Sequence, residues 1–296
     1  MSPLSAAEAM SPEAWVTRTP ILRTWHHAEF PLARLRAAKR GRSISVCLPA
    51  RDEAATIGPI VRVCRDLLPL VDEVVVIDDG STDDTRSVAL AAGARVVAAG
   101  DVLPECGPGN GKGEALWKSV HAAHGDLIVW CDADVRNFGP PFVTGLLGPM
   151  LTNDEVSFVK GFYDRPLDGR SGEGGRVTEL VARPLISILF PHLAPVLQPL
   201  GGECAGRREV VEQLPFVQGY GVDLALLVDV AERFGLGAMA QVDLGVRVHR
   251  NRPLSELAPQ AEAIIATALA RAALDVDVEV DERPPMIEVP AYRKSA

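Results

Sequence analysis

The chain repeats one pattern through its first half: a short apolar run, a helix-spaced stretch, then acidic or turn-forming residues. The runs are ISVCLPA (44–50), EVVVID (73–78), ARVVAA (94–99) and DLIVWCD (126–132). Between them, residues 53–68, 84–92 and 113–124 carry apolar side chains at helical spacing, for example Ile57, Ile60, Val61 and Cys64. Apolar runs without polar alternation are the mark of strands buried on both faces. Strands alternating with helices imply a mostly parallel, Rossmann-like sheet flanked by helices, an α/β fold. Ligands of such sheets collect beyond the carboxyl ends of the strands. There this chain places Asp52 and Glu53, then Asp78 and Asp79, then Asp132 and Asp134.

The second half is less regular. Residues 164–176 (DRPLDGRSGEGGR) read as a mobile Gly- and Arg-rich loop. A helix is expected over 177–192, with Pro184 marking a break, and others over 221–235 and 256–274. QVDLGVRVH (241–249) alternates like a strand. The expected organisation is an N-terminal extension with some helix (1–42), a first α/β half (43–140), a second half with helices (141–274) and a flexible tail, extended or disordered (275–296).

Composition narrows the function. At a net charge of -9, the chain is a poor general partner for nucleic acid or an anionic membrane. No apolar run approaches the ~20 residues that cross a bilayer. MSPLSAAEAMSPEAW lacks a basic segment followed by an apolar one, so no secretory signal is expected. Five scattered cysteines without a CxxC pattern suit free thiols in a reducing cytoplasm.

Asp132-Ala133-Asp134 ends a buried run. Two carboxylates at i and i+2 on a strand end can approach one hard cation, and Mg2+ or Mn2+ favours such oxygens while leaving room for phosphate. Alone the pattern is also ordinary turn capping. Lys112, in the glycine-rich GNGKG (109–113), adds a point charge beside backbone amides at a helix start. The GxxxxGK[ST] spacing of a P-loop is absent.

Three features in order, PARDE (49–53), DDGSTD (78–83) and the Asp-x-Asp, resemble the GT-A glycosyltransferase nucleotide-sugar domain. Further stretches, GNGKGEALWKS (109–119), GRVTELVARPL (175–185), QPLGGE (198–203), GYGVD (219–223) and LGVRVHRNRPL (244–254), resemble the glucosyl-3-phosphoglycerate synthases and the related mannosyl-3-phosphoglycerate synthases. The match spans 44 to about 270.

The resemblance implies a GT-A fold with a C-terminal acceptor-binding helical subdomain. It implies retaining, metal-dependent transfer of glucose from UDP-glucose to the 2-hydroxyl of 3-phosphoglycerate. Mg2+ is the implied cofactor, with Mn2+ or Co2+ as alternatives, held by Asp134 and His249. Pro49, Ala50, Glu53 and Asp79 are implied to line the nucleoside, Asp79 accepting the uracil N3–H. Lys112, Asp132 and Arg247 are implied at the diphosphate, and Leu200, Gly201 and Asp223 at the sugar. Gly175, Arg176, Thr178 and Asn251 are implied to hold the acceptor. Asp134, Asp223 and Arg247 are the implied catalytic set, and the assembly implied is a cytoplasmic homodimer. Relatives often carry Ser at the position of Asp79 and Glu at that of Asp223, so GDP-mannose stays open as a donor. The implied route is front-face attack, with Asp223 as nucleophile the alternative. A nucleotidyltransferase would place a GxGTRxxP-type loop where this chain has PARDEAA. A nucleotide-sugar sensor would bind the donor without turnover.

Overall fold

The computed structural model describes residues 22–166, 174–248, 254–274, 278 and 280–293. The four apolar runs form β2 (Ile44–Ala50), β3 (Glu73–Asp78), β4 (Arg95–Ala98) and β5 (Leu127–Trp130). They are joined by α2 (Ile57–Asp66), α3 (Thr85–Ala91) and α4 (Gly111–Ala122). Helices α2 and α3 are shorter than the spacing alone suggests, and α4 starts two residues earlier than expected, inside the glycine-rich segment.

Among the described residues the sheet holds eight strands, ordered β1-β9-β6-β7-β5-β2-β3-β4. The four others are β1 (Arg23–His26), β6 (Phe158–Asp164), β7 (Cys204–Arg207) and β9 (Met239–Val246). Only β7 runs against its neighbours, antiparallel to both β5 and β6, so the fold is the mostly parallel α/β sheet anticipated. The reversal matters for the site. It brings the start of β7, with Gly202 and Glu203 just before it, to the edge where the other strands end.

Alternate residues of each central strand enter opposite cores. Val46, Leu48 and Ala50 of β2 pack with α2 and α5 (Pro141–Thr152), while Cys47 faces the other side. Ile128 and Trp130 of β5 join that second core, with α4, α8 (Val222–Phe234) and α9 (Leu254–Arg271). Two buried faces explain why these strands carry no polar alternation.

Four expectations change. Residues 22–42 are not merely an extension: β1 is an edge strand pairing with β9, and α1 (Leu32–Ala38) packs against α5. Strands from both sides of residue 140 interleave in one sheet, so a cut there does not follow the core. Part of the tail is ordered by pairing. β10 (Glu282–Arg283) pairs with β8 (Phe216–Val217), and α10 (Pro290–Arg293) follows. The expected helix over 177–192 is one turn of π-helix (Thr178–Ala182) leading into α6 (Arg183–Leu189). Pro184 has no N–H to continue an α-helical ladder, which accounts for the widened turn before it. Among the described residues no helix is long and apolar enough to cross a membrane.

Candidate active site

The loops after β2 and β3 are stitched together by their own acids. Asp52 has a left-handed backbone (φ 55°), and its Oδ1 accepts from the Thr82 N–H at 2.7 Å. Asp83 accepts from the Ala54 N–H at 3.1 Å and the Thr85 N–H at 2.9 Å. Asp78 is buried and caps its own turn through the Ser81 N–H at 3.2 Å. These three carboxylates therefore build the edge rather than serve ligands. Asp79 is the one that turns to the cavity, with Arg51 3.8 Å away. Burial, and after it Arg51 in opposition, sets its proton affinity; the net effect raises its pKa.

Beyond the strand ends lies a cavity of about 510 Å³, a size typical of small-molecule sites. Its floor is a charge network. Asp132 gives Oδ1 to Lys112 at 3.0 Å and Oδ2 to Arg247 at 2.8 Å. Burial disfavours the Asp132 carboxylate, but Lys112 and then Arg247 outweigh it and hold its pKa well below the usual range. Lys112 also reaches Asp223 at 2.9 Å. Burial works against its charge, but Asp132 and Asp223 keep it protonated far above the ordinary range. Gly202 has to be glycine here, because a Cβ would lie 2.2 Å from Asp132 Oδ1.

Arg247, just past β9, is buried and bonds Asp134 at 2.8 Å and the Tyr163 hydroxyl at 3.0 Å, with Glu203 at 3.4 Å. Arg165 also donates to the Tyr163 hydroxyl, at 2.8 Å, and stacks on its ring. Glu203 accepts from Tyr163 and is fully buried. Burial pushes its pKa up, with Arg247 the chief opposing influence.

Asp132 has both oxygens engaged by cations. Asp134 has one engaged by Arg247 and stays 30% exposed, so it is the carboxylate of the pair suited to a hard divalent ion. Among the described residues no group of three His, Cys, Asp or Glu could hold a metal alone. His249 and Asn251 lie outside the described residues. Val248 is held beside the Asp-x-Asp turn: the Arg136 N–H donates to its carbonyl at 2.9 Å, and Asn137 accepts from its N–H at 2.8 Å.

Gly175, Arg176 and Thr178, which follow the Asp-x-Asp at a long distance in sequence, line the same cavity as the network. Gly175 has φ +77°, the left-handed turn that starts the π-helical segment.

Residues 45–214 match the family model described as glycosyl transferase family 2. The glucosyl-3-phosphoglycerate synthase of Mycolicibacterium smegmatis is 53% identical over 253 residues, covering 84% of this chain and 84% of that protein. The chain belongs to the glucosyl-3-phosphoglycerate synthase family. A crystal structure of the Mycobacterium tuberculosis synthase in complex with Mn2+, UDP-glucose and phosphoglyceric acid superposes with a TM-score of 0.85 at 47% identity, covering 91% of this chain and 99% of that one. Another, of the same synthase with Mg2+ and UDP, gives 0.83 at 46% identity, again covering 91% and 99%.

The structure gathers Pro49, Ala50, Glu53, Asp79, Lys112, Asp132, Asp134, Gly175, Arg176, Thr178, Leu200, Asp223 and Arg247 around one cavity. Gly201 does not line it; its carbonyl accepts from the buried Lys160 ammonium. Sequence reasoning missed Lys160, Tyr163 and Arg165, all on or just after β6, a strand it did not identify. The available signal was weak, a lysine and a glycine inside the mixed segment FVKGFYD. Glu203 stood inside a quoted motif without a role.

Proposed function

We propose that this chain catalyses retaining transfer of glucose from UDP-glucose to the 2-hydroxyl of 3-phosphoglycerate. The observation that carries the reading is the single cavity shared by the Asp132–Lys112–Arg247–Asp134 network and the Gly175–Thr178 segment. An anionic donor and an anionic acceptor would meet there. The family's named synthases, including the one crystallised with UDP-glucose and phosphoglyceric acid, support the substrate pair.

In this reading the nucleoside lies along Pro49, Ala50, Glu53 and Asp79, and the diphosphate lies by Lys112 and Arg247. Asp134 and His249 would hold a divalent ion, which when bound supplies Lewis-acid compensation of charge on the leaving diphosphate. Asp223 has Oδ2 paired with Lys112, and its buried Oδ1 has no hydrogen-bond partner, the Lys160 ammonium lying 4.0 Å away. That oxygen is suited to accept a sugar hydroxyl, and the cation on its twin weakens it as a nucleophile. Arg176, Thr178 and Asn251 would orient the acceptor. The acceptor's 2-hydroxyl attacks the anomeric carbon on the face the diphosphate leaves. The new C–O bond forms as the old one breaks, and the hydroxyl proton passes to the departing β-phosphate oxygen. The protein contributes orientation and preorganised charge.

The test is to incubate purified protein, Mg2+ and 3-phosphoglycerate with one nucleotide sugar at a time, identifying product by mass. UDP-glucose should give hexosyl-phosphoglycerate with UDP released. Turnover only with GDP-mannose would overturn the donor assignment, and donor binding without product would overturn catalysis.

The chain would act in the cytoplasm, for which five free cysteines, four of them buried, are the support. We further propose a homodimer. Leu180 and Ile188, 74% and 75% exposed near α6, are the apolar side chains available for pairing. Light scattering should give twice the mass of 31.6 kDa, and a monomer mass would refute it.

A further inference from the structure

We propose that Arg283, in the C-terminal segment beyond the family-matched 45–214, is a positioning residue for the nucleoside end of the donor site. A second cavity of about 380 Å³ continues from Asp79 and Gly80 towards the loop between β4 and α4. That loop, residues 99–110, has only two short 3-10 turns and cannot satisfy its own carbonyls with a regular ladder. Two buried cations, Lys118 and Arg283, do so instead, both held by one buried carboxylate. Glu114 is central and 1% exposed. Arg283 bonds it with both arms of its fork, Nε to Oε2 at 2.7 Å and Nη2 to Oε1 at 3.0 Å. Lys118 pairs with Oε1 at 2.9 Å.

Each cation then reaches past the carboxylate to the loop backbone. Lys118 donates to the Ala99 carbonyl at 2.7 Å. Arg283 donates to the carbonyls of Cys106 and Gly107, the latter at 3.0 Å. The loop lies so close that a Cβ on Gly109 would sit 2.1 Å from the Glu114 carboxyl carbon. Arg283 is itself located by stacking over Trp117, whose indole N–H donates to the Pro284 carbonyl at 2.9 Å. A planar fork is the group able to hold a carboxylate and two carbonyls at once.

The same C-terminal strand reaches the Lys112 side of the site. Through β10 it pairs with β8, and Gly219, just past β8, donates its N–H to the Asn110 carbonyl at 3.1 Å. Arg283 thus sets the wall that faces Asp79 across the second cavity, without touching the larger cavity. The inference rests on the reading that Asp79 faces the nucleobase of UDP-glucose.

The test uses full-length R283K and R283M with UDP as the binding probe. With Mg2+ present, UDP affinity should fall about tenfold, equivalent to about 1.4 kcal/mol. KM for UDP-glucose should rise in step, while KM for 3-phosphoglycerate and kcat stay within about twofold, since the reacting centre is untouched. R283K keeps the charge and most of the stem but not the fork, so it should fold and still show the defect. In the wild-type protein, UDP should slow amide exchange in 106–110 and 281–284 together. R283K with wild-type UDP affinity, or both substrate KM values rising equally, would overturn the positioning role, as would UDP protection confined to 106–110. A wild-type protein that neither binds UDP nor forms product would instead remove the functional reading.

Discussion

Replacing Arg247 by Met tests the electrostatic reading most directly. Arg247 is 3% exposed and serves three carboxylates: Asp132 and Asp134 at 2.8 Å each, and Glu203 at 3.4 Å. Removing one member of a buried charge cluster costs about 3–5 kcal/mol, because the partners stay buried without compensation. Asp132 keeps Lys112 at 3.0 Å and Asp134 is partly solvated, so the low end, about 3 kcal/mol, applies at pH 8. For a chain of this size that lowers Tm by roughly 5 °C.

The deficit should depend on pH. In the folded protein Glu203 is pushed above its ordinary value of 4.5, by burial first, with Arg247 the strongest force pulling it down. A carboxyl with a raised folded pKa binds more protons folded than unfolded. Its stability contribution is therefore complete below 4.5 and is lost as pH rises through the folded value. Without Arg247 the folded value climbs further. The gap between R247M and wild type should widen as pH rises from the wild-type folded value of Glu203 towards the variant's higher one, by up to about 1.4 kcal/mol per unit. E203Q added to R247M should flatten the pH trend. Melting curves at several pH values decide the matter. A deficit constant from pH 5 to 8, or a variant as stable as wild type, would refute the claim that Arg247 compensates Glu203.

Three further outcomes follow from the geometry. Gly202→Ala forces a Cβ against Asp132 Oδ1; it should cost about 2 kcal/mol of stability and raise KM for UDP-glucose, read by melting and steady-state kinetics. Asp134→Asn should abolish turnover and the response to added Mg2+, as chelation should in wild type, while near-UV circular dichroism stays native; an active, metal-indifferent variant would remove the metal role. Arg176→Ala should raise KM for 3-phosphoglycerate about tenfold or more, leaving KM for UDP-glucose unchanged; the reverse pattern would overturn the acceptor assignment.

How much was legible depends on what each residue's signal is made of. Strands β2, β3 and β5 are buried on both faces, so their sequences are unbroken apolar runs and announce themselves, whereas β4 is a partly buried edge strand. β6 carries Lys160 and Gly161 within FVKGFYD, a mixed pattern that hides a strand, yet it supplies Tyr163 and leads to Arg165. β1, β7, β8 and β10 span only two to four residues, too short for a period. They exist because neighbouring strands present free backbone groups. Arg283 sits in an acid- and proline-rich tail, where nothing local distinguishes a buried fork from a solvated one.

The acids show the same limit from the other side. By sequence, Asp52, Asp78, Asp79, Asp132 and Asp134 are equivalent carboxylates at strand ends. Asp52 is spent on Thr82, a contact 30 residues away, and Asp78 on its own turn. Asp132 and Asp134 diverge only because Arg247, over a hundred positions later, comes between them, and because the reversed strand β7 brings Gly202 beneath Asp132. Asp132 becomes the anchor that fixes Lys112 and Arg247, while Asp134 keeps an open side. The Asp-x-Asp motif therefore names the pair, and the division of labour within it is set by residues that only the sheet topology brings into reach.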